Sequence, residues 1–214
     1  MSIRPDQVPQ LTLNNGMQIP CIGAGTFGSD RVSPQDVANG VAGAIRSGYR
    51  LIDCAACYGN EKEIGQVFKA AFDEGVVKRE DLFIMTKVWN DQHREVRKAC
   101  LKSIQDLKAD YIDMYFIHWP FPNYHPPHCS VDSRNPDSKP FSVAEFMDTY
   151  RQCEEMVKRG LIRHIGISNH RLAVAREAIL SGLYETLQFP FSYLSGEQEL
   201  ELVRKCKEKN MGFI

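Results

Sequence analysis

Several side chains able to move a proton or hold a charge stand at related places along the chain: Asp53, Tyr58, Lys87, His118, the pair Ser168-Asn169, and Gln188. A tyrosine phenol has an unperturbed pKa of about 10, so it holds a proton to give at neutral pH, and a nearby ammonium eases that proton's departure. Lys87 is the residue type that supplies the ammonium, and Asp53 is the type that pairs with it and keeps it charged when partly buried. His118 can aim a hydrogen bond at a substrate oxygen. Together they could deliver a proton to an oxygen that gains negative charge during a reaction. Each alone has a bland reading, since a Tyr after a strand usually packs and a His before Trp-Pro is usually a satisfied core residue. The case for chemistry rests on their joint placement.

That placement follows from the elements. Apolar runs recur at intervals of roughly 30 residues, each followed by an amphipathic stretch, the pattern of repeated βα units and a parallel sheet. The runs are Ile22–Gly25, Leu51–Asp53, Leu82–Thr86, Tyr111–Ile117, Ile162–Ile167 and a weaker Leu187–Phe189, with a seventh opening at Gly212–Ile214. Helical patterns fill the intervals: Pro34–Ser47 behind the cap-like Ser33-Pro34, Glu61–Phe72, Arg94–Leu107, Ser142–Lys158, Leu172–Ser181 and Gly196–Lys209. Ser47-Gly48, Arg159-Gly160 and Met211-Gly212 put glycine where a left-handed helix cap is expected. Asn15-Gly16 within Leu11–Ile19 reads as a hairpin that plugs or flanks the sheet.

In parallel β/α folds the loops after the strands converge on one face, and functional groups gather there. Asp53, Lys87, His118 and Ser168-Asn169 end successive strands, and Gln188 lies in the sixth. Polar groups left at the ends of apolar strands need partners, and these can partner one another. Glu61 reads as a first-turn helix residue favouring the dipole, and Asp113, inside a strand, as structural. The fold expected is α/β, a (β/α)8 barrel with an N-terminal β-hairpin, residues 1–214 forming one domain. Six units and the start of a seventh are counted, against the eight that closure needs, so a C-terminal part is expected beyond residue 214.

Composition narrows the function classes. With 26 basic and 27 acidic side chains the formal net charge is -1, which gives no global field to recruit nucleic acid or an anionic membrane. Met1–Gln7 lacks the apolar core of a signal peptide and no stretch approaches a bilayer span, so the reading is a cytoplasmic protein with a small-molecule partner; the oligomeric state is open. The seven cysteines are an odd count, mostly inside apolar or helical runs, where a thiol behaves as a small hydrophobe. Cys54-Ala55-Ala56-Cys57 has C-x-x-C spacing but follows a strand, whereas a thioredoxin-like motif opens a helix. His125, His128 and Cys129 offer zinc-type ligands without a clear fourth, in a Pro-rich stretch, 121–140, long enough to wall a pocket. No metal site is expected.

The motifs Gly25-Thr26-Phe27, Gly48-Tyr49-Arg50-Leu51-Ile52-Asp53-Cys54-Ala55, Tyr58-Gly59-Asn60-Glu61, Thr86-Lys87-Val88-Trp89, Ile117-His118-Trp119-Pro120 and Ile165-Gly166-Ile167-Ser168-Asn169 occur in one order. In that order and spacing the chain resembles the aldo-keto reductase superfamily across essentially its whole length. The resemblance implies NAD(P)H-dependent reduction of an aldehyde or ketone, with Tyr58, Lys87, Asp53 and His118 catalytic. It implies further that Ser168, Asn169 and Gln188 hydrogen-bond the nicotinamide carboxamide while Gly25, Thr26, Phe27 and Asp53 line the cofactor. NADP(H) is the form the family favours, with NAD(H) open. Gly23-Ala24-Gly25 lacks the third glycine of a dinucleotide fingerprint, which the family does not use.

Phe27, Trp89 and Trp119 flank the inferred site as aromatic walls for a substrate, Phe27 standing where many relatives carry Trp. Two other functions fit parts of the pattern. A cofactor-binding, non-catalytic relative would lack hydride transfer, and a metal-dependent barrel hydrolase using His118, Asp53 and the 125–129 loop would carry a metal.

Overall fold

The computed structural model describes residues 4–13, 15–28, 31–119, 143–169 and 171–214. The 121–140 loop, with His125, His128 and Cys129, thus lies outside the described residues. Strands β1 (Gln10–Thr12) and β2 (Gln18–Pro20) form the expected antiparallel hairpin, turning through Gly16 at φ 84°. The main sheet holds β3 (Ala24–Gly25), β4 (Leu51–Asp53), β5 (Phe83–Val88), β6 (Ile112–Ile117), β7 (Ile162–Ser168), β8 (Thr186–Gln188) and β9 (Gly212–Phe213). These seven strands run parallel in sequence order, and among the described residues β3 and β9 pair on one side only. The repeated βα pattern produces this order, since each strand is followed by a helix or turn that returns the chain to the next place in the sheet.

The connecting helices are α1 (Pro34–Arg46), α2 (Glu61–Asp73), α3 (Val96–Leu107), α4 (Val143–Lys158), α5 (Leu172–Ser181) and α6 (Glu197–Glu208). Ser33 caps α1 as its sequence suggests, its Oγ accepting from the Asp36 N–H at 3.1 Å. Gly48 and Gly160 take positive φ at helix ends, but the third expected glycine does not. Asn210 turns the chain at φ 54°, and Gly212 lies in β9, where an added Cβ would fall 2.8 Å from Leu13 Cδ2. Among the described residues no helix is long and apolar enough to cross a membrane.

Strand alternation sorts the side chains into two sets. Ile52, Ile84, Val88, Tyr115, Ile117, Ile165, Ile167 and Leu187 join the helices in one core. Leu51, Phe83, Met85, Met114 and Phe116 face the other way, and there Leu13 and Ile19 of the hairpin cover them, so the hairpin does plug the sheet. Gly166 is needed on that face because a Cβ there would come within 2.5 Å of Phe116 Cε1 and Thr186 Oγ1.

Polar groups brace the back of the strands. Asp113 is structural, as expected: Oδ2 accepts from Arg79 Nη2 at 2.8 Å and from the Ile84 N–H at 2.9 Å. Glu61 does stand in the first turn of α2, but it is buried, accepting from Thr86 Oγ1 at 2.5 Å and Ser103 Oγ at 2.9 Å. It ties α2 to β5 and α3, and burial pushes its carboxyl up despite those hydroxyls. α2 and α3 meet closely at Gly65, where an added Cβ would lie 1.9 Å from the Asp106 carbonyl oxygen.

The chain leaving β5 turns through 90–92 to His93, whose carbonyl accepts from Thr149 Oγ1 at 3.4 Å and Gln152 Nε2 at 3.2 Å on α4. The His93 ring is buried, Nε2 has no hydrogen-bond partner among the described residues, and burial pushes its pKa down to about 4.

Two expectations follow. Gly65→Ala should lower unfolding stability by about 1–3 kcal/mol in urea titrations, because the clash is with backbone; an unchanged midpoint would contradict the close approach. His93 resists protonation in the fold, so the unfolded chain binds the extra proton between about pH 6.5 and 4, and stability falls as pH drops through that window, by roughly 3 kcal/mol in all. His93→Gln should remove this part of the acid sensitivity; equal sensitivity in both proteins would contradict it.

Candidate active site

The face that carries the hairpin plug at its lower end carries the polar residues at its upper end. Asp53 is two residues beyond Leu51, Lys87 two beyond Met85, His118 two beyond Phe116 and Ser168 two beyond Gly166, so period-two alternation delivers all of them to the same side. Lys87 lies inside β5 rather than beyond its end, because the strand runs on to Val88. Backbone bonds extend the sheet into the loops: Thr26 N–H donates to Asp53 O at 3.0 Å, Cys54 N–H to Met85 O at 2.8 Å, His118 N–H to Val88 O at 3.2 Å and Asn169 N–H to Gln188 O at 3.2 Å. The site therefore stands on ladder geometry and not on free loops.

Lys87 is the centre. Its ammonium, 1% exposed, donates to Asp53 Oδ1 at 2.7 Å and to the Cys54 carbonyl at 2.8 Å, and lies 3.4 Å from Tyr58 Oη. Burial alone would lower its pKa, but the facing Asp53 carboxylate and the Tyr58 hydroxyl outweigh burial and hold it above the usual lysine value. Asp53 Oδ2 accepts from Gln188 Nε2 at 2.8 Å, so both oxygens of this carboxylate are engaged by protein groups. That leaves it poorly suited to the metal-ligand role of a barrel hydrolase.

Tyr58 closes the short 3-10 turn 56–58, held by its N–H to Ala55 O at 3.0 Å and followed by Gly59 at φ 66°. Burial pushes the phenol up and the Lys87 ammonium pulls it down, with burial the larger effect, so the net shift is upward rather than the easing expected of Lys87 alone. The Tyr58 ring centroid is 5.1 Å from that of Phe27 and 5.9 Å, edge-on, from that of His118. Trp89 stands edge-on to His118 at 5.0 Å and to Trp119 at 6.5 Å, so Phe27 meets the Tyr58 ring, Trp89 meets the His118 ring and Trp119 meets Trp89. Phe27 is 56% exposed at the rim, while Trp89 is buried.

The remaining residues line the neighbouring strand ends. Thr26 is buried and donates through both N–H and Oγ1 to the Asp53 carbonyl, and Gly25 pairs with Asp53 with open space where a Cβ would stand. Ser168 and Gln188 are register partners across β7 and β8. Asn169 is buried; its Oδ1 accepts from the Arg171 N–H at 2.6 Å, which leaves Nδ2 as a buried donor without a partner among the described residues. A cavity of about 250 Å³ lies between this layer and the hairpin, walled by Leu13, Ile19, Leu51, Asp53, Met85 and Gln188; neither Tyr58 nor His118 lines it.

Two neighbours escaped the sequence reading of roles. Asn60 stands at the N-cap of α2 but makes no capping bond; its Nδ2 donates instead to the Thr26 carbonyl at 2.8 Å and ties the 26–27 segment to the tyrosine turn. The sequence pointed elsewhere, since Asn before a helix normally caps it. Cys57 places Sγ 3.5 Å from His118 Nδ1. The described cysteines are all unpaired thiols, Cys54 buried and Cys57 half-buried, so the C-x-x-C spacing forms no disulfide here.

Residues 21–214 match the sequence profile of the Aldo/keto reductase family. Aldose reductase C of Dictyostelium discoideum is 43% identical over 166 residues, covering 73% of this chain and 50% of the relative. The NADPH-dependent aldose reductase GRE3 of Saccharomyces cerevisiae is 37% identical over 208 residues, covering 92% of this chain and 63% of the relative. A solved Bombyx mori aldo-keto reductase in complex with NADP superposes with a TM-score of 0.81 at 30% identity, over 97% of this chain and 66% of that one. The chain spans about half the length of several curated relatives it matches. The parallel sheet with its strand-end polar cluster and these matches agree: the chain belongs to the aldo/keto reductase family.

Proposed function

We propose that residues 1–214 form the nicotinamide end of a cytoplasmic NADP(H)-dependent carbonyl reductase, a single barrel domain that reduces a small aldehyde or ketone to an alcohol. The observation that carries the reading is the Asp53–Lys87–Tyr58 chain of contacts, at 2.7 Å and 3.4 Å, beside His118. NADPH-dependent relatives and an NADP-bound neighbour favour the phosphorylated cofactor over NAD(H).

The residues present fit a nicotinamide. Its carboxamide presents one carbonyl acceptor and two N–H donors. Asn169 Nδ2 is a buried donor with no acceptor among the described residues, and Gln188, whose Nε2 is committed to Asp53, offers its carbonyl oxygen. Ser168 adds a hydroxyl that can act in either sense. Gly25, Thr26 and Phe27 would line the adjoining ribose and pyrophosphate. When bound, the nicotinamide supplies a hydride to the carbonyl carbon.

The chain's own residues do the rest. Tyr58 is protonated at neutral pH, so it holds at Oη the proton that the developing alkoxide needs. As that proton leaves, Lys87 Nζ faces the resulting phenolate from 3.4 Å, and Asp53 keeps the ammonium charged and in place. Burial and Lys87 both act on the phenolate, burial disfavouring it more than the ammonium favours it, so the resting group stays a protonated acid. His118 orients the carbonyl oxygen, and Phe27, Trp89 and Trp119 exclude water around an apolar substrate body.

Tyr58→Phe should bind NADPH as the parent does, by fluorescence titration, and reduce aldehydes at least roughly a hundredfold more slowly. Unchanged turnover would overturn the assignment. In the parent protein the acid must be protonated to act, and its phenol is raised above the ordinary value of 10.0, so reduction should hold level through neutral pH and fall only above about pH 10. A fall centred near neutrality would mean that another group supplies the proton.

A further inference from the structure

Among the described residues Cys57 is the one half-buried thiol in contact with the proposed machinery. It sits inside the same 3-10 turn as Tyr58, and its Sγ is 3.5 Å from Nδ1 of His118, 61 residues away on the next strand end but one. A neutral imidazole has one nitrogen that donates and one that accepts, and the partner of one nitrogen decides which form is present. The rings of Tyr58 and Trp89 fix where the imidazole lies, at 5.9 Å and 5.0 Å between centroids. Ring packing alone does not decide which nitrogen carries the proton.

We propose that Cys57 is a positioning residue for His118: its S–H donates to Nδ1, so the neutral ring carries its proton on Nε2, the form able to donate to a carbonyl oxygen. The proposal rests on the reading of His118 as the group that orients the carbonyl. A thiol that faces an imidazole as a thiolate would instead demand Nδ1–H. Burial pushes the Cys57 thiol up to about 12, which keeps it protonated at any working pH and leaves it a proton to give. The unprotonated ring nitrogen is a good acceptor and thiol sulfur a weak one, so donation from S–H to the ring is the favoured sense. The turn makes the arrangement firm, because its backbone bonds Tyr58 N–H to Ala55 O at 3.0 Å and Gly59 N–H to Ala56 O at 3.4 Å fix Cys57 and Tyr58 together. One turn thus carries the acid and the group that sets the form of the neighbouring histidine.

Nitrogen-15 NMR of histidine-labelled full-length protein tests this without cofactor or turnover, with the His118 signal identified by its loss in His118→Gln. The expected spectrum of the parent shows Nδ1 without a proton and Nε2 with one. Cys57→Ser, which keeps a donor, should give the same pattern, and Cys57→Ala should show both neutral forms. In kinetics, Cys57→Ser should retain the parent kcat while Cys57→Ala loses roughly threefold to tenfold with unchanged NADPH affinity, the size of one hydrogen bond. A protonated Nδ1 in the parent overturns the proposal, whether or not the variants fold. So does a Cys57→Ala protein whose His118 pattern is unchanged, even if its activity drops, since that loss would reflect packing. If the NMR pattern holds but no carbonyl is reduced by the parent protein, the reductase reading fails and the Cys57–His118 contact stands.

Discussion

A lysine ammonium taken out of water loses its hydration shell, and the loss is tolerated only where fixed acceptors replace the water. Lys87 meets this condition near the end of β5, with the Asp53 carboxylate, the Cys54 carbonyl and the Tyr58 hydroxyl around Nζ. Much of the surrounding structure serves that arrangement. Gln188 holds the second oxygen of Asp53 from β8, Thr26 holds the Asp53 carbonyl from the end of β3, and Asn60 holds Thr26. Removing Asp53 would strand a buried cation, and removing Lys87 would leave a carboxylate facing a phenol.

The inner face of the sheet carries two kinds of content along the same strands. Toward the lower end Leu51, Phe83, Met85, Met114 and Phe116 pack beneath Leu13 and Ile19 of the hairpin, which supplies apolar burial. Toward the upper end the alternation continues with Asp53, Lys87 and His118, and the cavity of about 250 Å³ lies between this polar layer and the hairpin. The outer face is braced separately. Glu61 bonds Thr86, the residue before Lys87, and Asp113 bonds the N–H of Ile84 in the same strand, so β5 is fixed from behind at two points while its inner face bears the cation.

The fold and the core of the site were legible because both depend on simple spacing. Apolar runs with helices between them force a parallel order, and Asp53, Lys87, His118 and Ser168 fall at the upper strand ends whatever the details of packing. What escaped depends on contacts between distant segments. A cation reads as a strand end, so β5 looked shorter than it is; its ladder with β6 runs on to Val88, and the three partners of Nζ accommodate the cation inside it. Gly212 looked like a helix cap, but Asn210 takes the left-handed turn and Gly212 is spared for close approach to Leu13. Cys57 had no role beyond its C-x-x-C spacing, because nothing local marks a thiol as the partner of a histidine 61 residues later. The upward shift of Tyr58 also needed three dimensions, since burial outweighs the attraction of Lys87 only when the depth of the pocket is known.

The central claim is that a permanently charged Lys87 faces the Tyr58 phenol. It is tested most directly by titrating Tyr58 with carbon-13 labelled tyrosine, comparing the parent protein with Lys87→Met. Removing the ammonium leaves burial and the Asp53 charge acting unopposed, so the Tyr58 titration should move to higher pH by roughly a unit or more. A Tyr58 titration at the same pH in both proteins would show that Lys87 does not act on the phenol and would contradict the account.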